Sequence, residues 1–174
     1  MSRAAASTSR AAGFTLIEAL IATMILAVAT VGIAQLLAAS SQQAAAMNRK
    51  ATSLELAKQL MEEIAAHPVA DAMGAISLGH ETGENSRSQY DTIDDYHQYT
   101  DSTDNLTMFD GTPVDLGNGP TYTRTVWVEY RNTPSGSSTS SSSAPFCAVT
   151  VTVTPANGIP TTLTRLFART TGGY

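Results

Sequence analysis

The N-terminal third of the chain contains one long apolar run. Residues 14–39 carry a single charged side chain, Glu18, among hydrophobic, small and hydroxyl-bearing residues. A helix of this length measures roughly 39 Å, enough to cross a hydrocarbon layer about 30 Å thick. The run lacks the polar stripe of a soluble amphipathic helix, and it is longer than the apolar core of a secretory signal. The pattern therefore predicts a membrane-spanning helix.

The helical pattern continues beyond this run. Residues 40–67 contain neither proline nor glycine and are rich in helix-forming residues, and Pro68 gives a stop signal. Apolar residues recur there at three- and four-residue spacing, which is typical of a helix with one buried face. We expect this face to comprise Leu54, Ala57, Leu60, Met61 and Ile64.

The segment after the helix changes character. Residues 71–115 contain ten acidic residues and one basic residue, Arg87, and no hydrophobic period persists. Glycine and asparagine residues interrupt the segment throughout. We therefore predict an irregular acidic loop, with a short helix or strand near Tyr90–Tyr99, at the start of a C-terminal head, residues 68–174.

The last third of the chain predicts β-structure. Apolar and polar residues alternate in 122–130 and in 147–154, and a third run of this kind covers 161–169. Short connections favour an antiparallel meander over 121–170. One face of such a sheet needs a cover, and the apolar face of the preceding helix can provide it. The predicted fold is α+β, with a long N-terminal helix packed on a small antiparallel sheet.

Composition excludes several classes of function. The net charge of −5 argues against a nucleic-acid-binding protein that neutralises phosphates. The single cysteine, Cys147, excludes an intrachain disulfide framework. The chain contains no nucleophile elbow and no phosphate-binding loop, so we do not expect an enzyme.

Acidic residues of the loop offer oxygen ligands for Ca²⁺, although their spacing is not that of an EF-hand. A solvated acidic surface is the alternative. The predicted calcium ligands are Asp91, Asp94, Asp95, Asp101 and Asp104.

The residues at the start of the apolar run, Gly13-Phe14-Thr15-Leu16-Ile17-Glu18, follow a short leader, residues 1–13, whose charged side chains are both arginine. This string resembles the type IV prepilin signature of pilins, minor pilins and the pseudopilins of type II secretion. The resemblance implies cleavage between Gly13 and Phe14 by a prepilin peptidase and N-methylation of Phe14. It also implies that Glu18 pairs with the α-amine of a neighbouring subunit.

Basic residues flank the span on both sides and leave its orientation open. The resemblance implies an inner-membrane protein with a cytoplasmic N-terminus and a periplasmic head, assembled with other pilin or pseudopilin subunits. Some pseudopilins also carry a structural calcium ion. The alternative is a single-span envelope binding protein that never polymerises.

A second segment, Tyr90–His97, is similar to an acidic and aromatic stretch of minor pilins of the mannose-sensitive haemagglutinin type (the MshD class) and of PilV-like proteins. Gln98 follows it, at a position where we expect a glycine in that class.

Overall fold

The structure is a computed structural model that describes residues 13–69, 78–117, 119–139 and 144–169. The chain forms two compact units, Met1–Ala44 and Ala45–Tyr174. The first unit contains the first part of one helix, α1 (Leu16–Ile64). The second unit contains the rest of that helix and every strand found in the described residues. From here on, the head means this whole unit, which includes part of α1 as well as the head predicted from the sequence.

The C-terminal end of α1 lies close to the predicted stop. The last α-helical bond joins Ala65 N to Met61 O at 2.9 Å, and His67 N then donates to Ile64 O at 3.1 Å in a tighter turn. Pro68 follows this turn and cannot continue the helix, because its nitrogen carries no hydrogen.

The buried face of α1 differs from the predicted one at one position. The prediction that Leu54 lies on this face is wrong, since its side chain is 37% exposed, whereas Leu56 is buried. Residues 53 and 56 keep three- and four-residue spacing with the rest of the stripe, while residue 54 projects to its side. The buried residues are Ser53, Leu56, Ala57, Leu60, Met61 and Ile64.

In the described residues, five strands form one antiparallel sheet. They are β1 (Thr100–Ser102), β2 (Tyr122–Arg131), β3 (Ser138–Thr139), β4 (Phe146–Pro155) and β5 (Thr161–Ala168). Their order in the sheet is β1-β2-β4-β5, with β3 paired to β2. The long central pair aligns Tyr122 with Pro155 and Arg131 with Phe146. The α+β fold class predicted from the sequence is confirmed, but two short strands, β1 and β3, had no signal in the alternation.

The inner face of the sheet packs with α1 in one hydrophobic core. Val126 and Val151 belong to the same buried cluster as Leu60 and Ile64 of the helix. Cys147 is also buried, and this burial raises the pKa of its thiol to about 12. It therefore behaves as a small core residue rather than as a reactive thiol.

The turn between β4 and β5 is held against the helix. Arg49 Nη1 donates a hydrogen bond of 2.6 Å to the carbonyl oxygen of Asn157. A Cβ atom at Gly158 would lie 2.7 Å from Cγ of Pro155, so only glycine fits this turn without rearrangement. The asparagine-glycine pair therefore positions an edge of the sheet as well as reversing the chain.

The acidic segment contains some regular structure, and part of it lies within Tyr90–Tyr99, where the sequence predicts a short helix or strand. It contains two short 3-10 turns, Arg87–Gln89 and Asp94–Tyr96, and it then enters the sheet as β1. Between the second turn and the strand, Gln98 has a φ angle of 63°. Its backbone N–H donates to Val126 O at 3.0 Å, which fixes the backbone in this left-handed conformation. The glycine expected at position 98 therefore has a conformational explanation, because side chains disfavour this region by about 1–2 kcal/mol.

We predict that Gln98→Gly stabilises the head. Removing the Cβ relieves the left-handed strain, but it also raises the entropy of the unfolded chain, so the net gain is roughly 0.5–1 kcal/mol. The gain is measured as a higher urea midpoint of the full chain in detergent, followed by the fluorescence of the single tryptophan, Trp127. Gln98→Ala is the matched control, since it shortens the side chain but keeps the Cβ. Equal midpoints for the glycine and alanine variants would contradict the prediction.

Candidate functional site

The residue pair at the start of α1 forms a helix cap. The backbone N–H of Glu18 lies 3.3 Å from Oγ1 of Thr15 and 3.1 Å from its carbonyl oxygen. Threonine three residues before glutamate is the spacing of a capping box. Glu18 thus lies in the first helical turn, where the helix dipole favours negative charge.

The peptide bond between Gly13 and Phe14 is open to its surroundings in this unit. The Phe14 side chain is 74% exposed, and a Cβ atom built on Gly13 would meet no atom within 4 Å. Packing among the described residues therefore does not require glycine at position 13.

The surface of α1 in the first unit is apolar on every side. Residues 13–48 are all exposed, and the helix contains an 18-residue window with a mean hydropathy of 2.3. The hydroxyls of Thr23 and Thr30 donate to backbone carbonyls of their own helix, each at 2.9 Å, so they need no water. Such a continuous apolar surface requires lipid or other apolar helices around it.

In the head, a buried ion pair links the end of α1 to the acidic segment. Arg87 Nε donates to Glu63 Oε1 at 2.6 Å, and Arg87 Nη2 donates to Glu63 Oε2. Tyr96 contributes its hydroxyl to Glu63 Oε1 at 2.7 Å. Burial alone would lower the pKa of Arg87, but the carboxylate of Glu63 outweighs it and raises that pKa. Arg87 therefore remains charged in this buried position.

A second buried ion pair continues from the first into the sheet. Arg124 on β2 is completely buried, and its Nε donates to Asp101 Oδ1 at 2.9 Å while Nη2 donates to Asp101 Oδ2. Arg87 Nη1 lies 3.7 Å from Asp101 Oδ2, which joins the two pairs. We call the series Glu63–Arg87–Asp101–Arg124 the charge chain. Its signs alternate and sum to zero.

Neutral groups add further hydrogen bonds to the charge chain, although Arg124 Nη1 has no partner among the described residues. Arg124 Nη2 and Arg87 Nη1 both donate to the carbonyl oxygen of Thr107, at 3.0 and 2.9 Å. The Tyr99 hydroxyl donates to Asp101 Oδ2 at 3.0 Å. Burial, and then the negative charge of Asp101, raise the pKa of Tyr99 to about 12, so Tyr99 stays a hydrogen-bond donor at neutral pH. The arrangement joins helix, loop and sheet.

The structure gives two of the predicted calcium ligands other partners. Asp101 belongs to the charge chain. Asp94 is buried and accepts a hydrogen bond of 2.6 Å from the hydroxyl of Thr92. Burial raises the pKa of Asp94 above its ordinary value.

The other three predicted ligands differ in their exposure to solvent. Asp91 and Asp104 are exposed, whereas Asp95 is buried. Asp95 clusters with two residues outside the predicted set, Glu81 and Glu84, and one carboxylate oxygen from each of the three lies within 4.8 Å of the others. In the part of the chain that the structure describes, these three residues are the one group of three or more acidic, histidine or cysteine side chains whose ligand atoms lie close enough together to hold a metal ion.

The comparison with known proteins concerns the N-terminal segment. Residues 8–34 match the family model of the prokaryotic N-terminal methylation motif. The chain therefore has a type IV pilin-like N-terminus. Searches of curated proteins and of solved structures give no significant match.

The pilin-like motif points to a structural protein and to a membrane-anchored envelope location. It covers residues 8–34 only, so it carries no information on the charge chain. Two signals in the sequence could have indicated that network. Arg87 is the one base among ten acids of its segment, and Arg124 occupies an inward position in an alternating strand.

We predict that Asp101→Ala strongly destabilises the head, because it leaves Arg124 buried without a counter-ion. Breaking one partner of a buried ion pair costs about 3–5 kcal/mol. The urea midpoint of the full chain in detergent should fall accordingly, whereas the exposed Asp104→Ala should change the stability by less than about 0.5 kcal/mol. Asp101→Leu combined with Arg124→Leu should recover much of the loss, since no unpaired charge then remains. Equal effects of Asp101→Ala and Asp104→Ala would contradict a structural role for the charge chain.

Proposed function

We propose that the chain is a structural subunit, a minor pilin or a pseudopilin, of a type IV pilus or a type II secretion-like filament. The observation that carries this proposal is the junction at residues 13–18. The methylation motif, residues 8–34, extends into an apolar helical segment that has one carboxylate in its first turn and no polar face.

The first step of the proposed cycle is maturation. A prepilin peptidase cleaves between Gly13 and Phe14, and the new α-amine of Phe14 is methylated. The exposed Phe14 and the open space around Gly13 support access to this bond. We infer that the N-terminus faces the cytoplasm, because the peptidase acts there, and that the head lies in the periplasm.

The second step is the transfer of α1 from lipid to a bundle of similar helices. Leu16, Met24 and Leu36 are exposed by 84%, 68% and 72%, so the helix retains apolar surface for neighbours in every direction. Between Phe14 and Asn48 the one charged side chain is Glu18. This uniform surface suits either lipid or a helical bundle, and so permits passage from one to the other.

Glu18 supplies the specific contact in this step. A carboxylate in the apolar layer costs roughly 2.5–3.5 kcal/mol unless it is paired. No basic side chain forms an ion pair with Glu18 among the described residues. The α-amine created at Phe14 is the nearest cation that maturation supplies, and we propose that Glu18 pairs with the amine of an adjacent subunit. That pair would set the axial position of one helix against the next.

The test is the association of Glu18→Ala with the major filament subunit, measured by crosslinking in the membrane at equal protein levels. Leaving a buried amine unpaired costs about 3 kcal/mol or more, which corresponds to about a hundredfold loss of association. Insertion and cleavage should persist, because the variant makes the span more apolar and leaves Gly13 in place.

Glu55→Ala, an exposed carboxylate on the part of α1 that belongs to the head, is the matched control and should associate normally. Undiminished crosslinking of Glu18→Ala would contradict the proposed contact. If neither the wild type nor the variant associates, the chain is a single-span anchor that does not polymerise, and the filament proposal fails.

A further inference from the structure

Three carboxylates converge on one side of the head. Glu81 and Glu84 lie before the first 3-10 turn, and Asp95 lies within the second. One oxygen of each lies within 4.8 Å of the other two. The cluster shares no residue with the charge chain or with the N-terminal motif, so its role is independent of the filament function proposed above.

The two carboxylate oxygens of Asp95 differ in their hydrogen bonding. Its Oδ2 accepts the backbone N–H groups of Asp91 and Thr92, at 3.0 and 2.8 Å. Its Oδ1 is buried and has no hydrogen-bond partner among the described residues, although the whole residue is only 1% exposed. A buried carboxylate oxygen without a partner is costly, and this one belongs to the side chain that faces two further acids.

The two glutamates are held together by their own turn. Glu84 Oε2 accepts the backbone N–H of Glu81 at 3.0 Å, and Glu84 N donates to Glu81 O at 3.2 Å. Three carboxylates at this spacing repel one another, so the cluster is stabilised by any cation that enters it.

We propose that Glu81, Glu84 and Asp95 bind a calcium ion. All three ligands are hard oxygen donors, and no histidine or cysteine belongs to the cluster, which disfavours softer metals. Calcium accepts irregular sets of six to eight oxygens, whereas magnesium demands a near-ideal octahedron. Ligands from two separate turns suit the more tolerant ion, and water or carbonyl oxygens complete its coordination.

The proposed ion would connect two parts of the acidic segment. Glu81 and Glu84 precede Arg87, which anchors the segment to α1, while Asp95 precedes the strand β1. The two parts already share a backbone hydrogen bond of 3.0 Å from Gly79 N to Asp94 O. A bound ion would add a second link at the same place and hold the segment against the head.

The test is calorimetric titration of the full chain in detergent, after treatment with EDTA, using CaCl₂ as the titrant and MgCl₂ in a parallel experiment. We expect one saturable calcium site and a rise in melting temperature that NaCl of matched ionic strength does not produce. Glu81→Gln and Glu84→Gln each remove one charge from the site and should weaken calcium binding by about tenfold or more. Both side chains are only partly buried, so these variants should fold.

Asp104→Asn, an exposed acid of the same segment, is the matched control and should bind calcium like the wild type. Loss of binding in the glutamine variants with retention in this control supports the site. Calcium binding that is absent at millimolar concentration, that is unchanged in Glu81→Gln, or that MgCl₂ matches in affinity would overturn the proposal.

Discussion

The head depends on the charge chain that runs from Glu63 through Arg87 and Asp101 to Arg124. Hydrophobic packing between α1 and the sheet is non-directional and tolerates many relative positions. Bidentate contacts of the two arginines are directional, and they join the last turn of the helix, the acidic segment and the centre of the sheet. Because all four side chains are at most 9% exposed, each charge requires its neighbour. The network therefore fixes how these elements meet, while the apolar core supplies the driving force.

The parts of the fold that repeat locally could be read from the sequence. The spacing of Leu60 and Ile64 identified the buried side of the helix, and the alternation in 122–130 and 147–154 identified β2 and β4. The charge chain could not be read in this way, because the partners in its two bidentate ion pairs are 24 and 23 residues apart and no period relates them. The short strand β1 was missed for the same reason: its three residues pair with β2 through backbone groups and leave little pattern in the side chains.

The N-terminal motif and the acidic segment also differ in how much of their function the sequence could predict. The motif at Gly13–Glu18 is contiguous, so its six residues are recognisable in the amino-acid sequence alone. The acidic segment offered many carboxylates of similar appearance, and composition could not separate them. In the folded chain Asp101 forms an ion pair with Arg124, whereas Asp95 lies beside Glu81 and Glu84. Neither set of contacts can be predicted from the spacing of the residues, because both depend on how the acidic segment folds between the helix and the sheet.

The central claim is that this chain matures as a filament subunit, and its N-terminus tests that claim most directly. The measurement is tandem mass spectrometry of the N-terminal peptide, on protein purified from membranes of cells that contain a prepilin peptidase. The account predicts a mature chain that begins at N-methylated Phe14, and a Gly13→Val variant that retains residues 1–13. A wild-type chain that begins at Met1 or Ser2 would contradict the account.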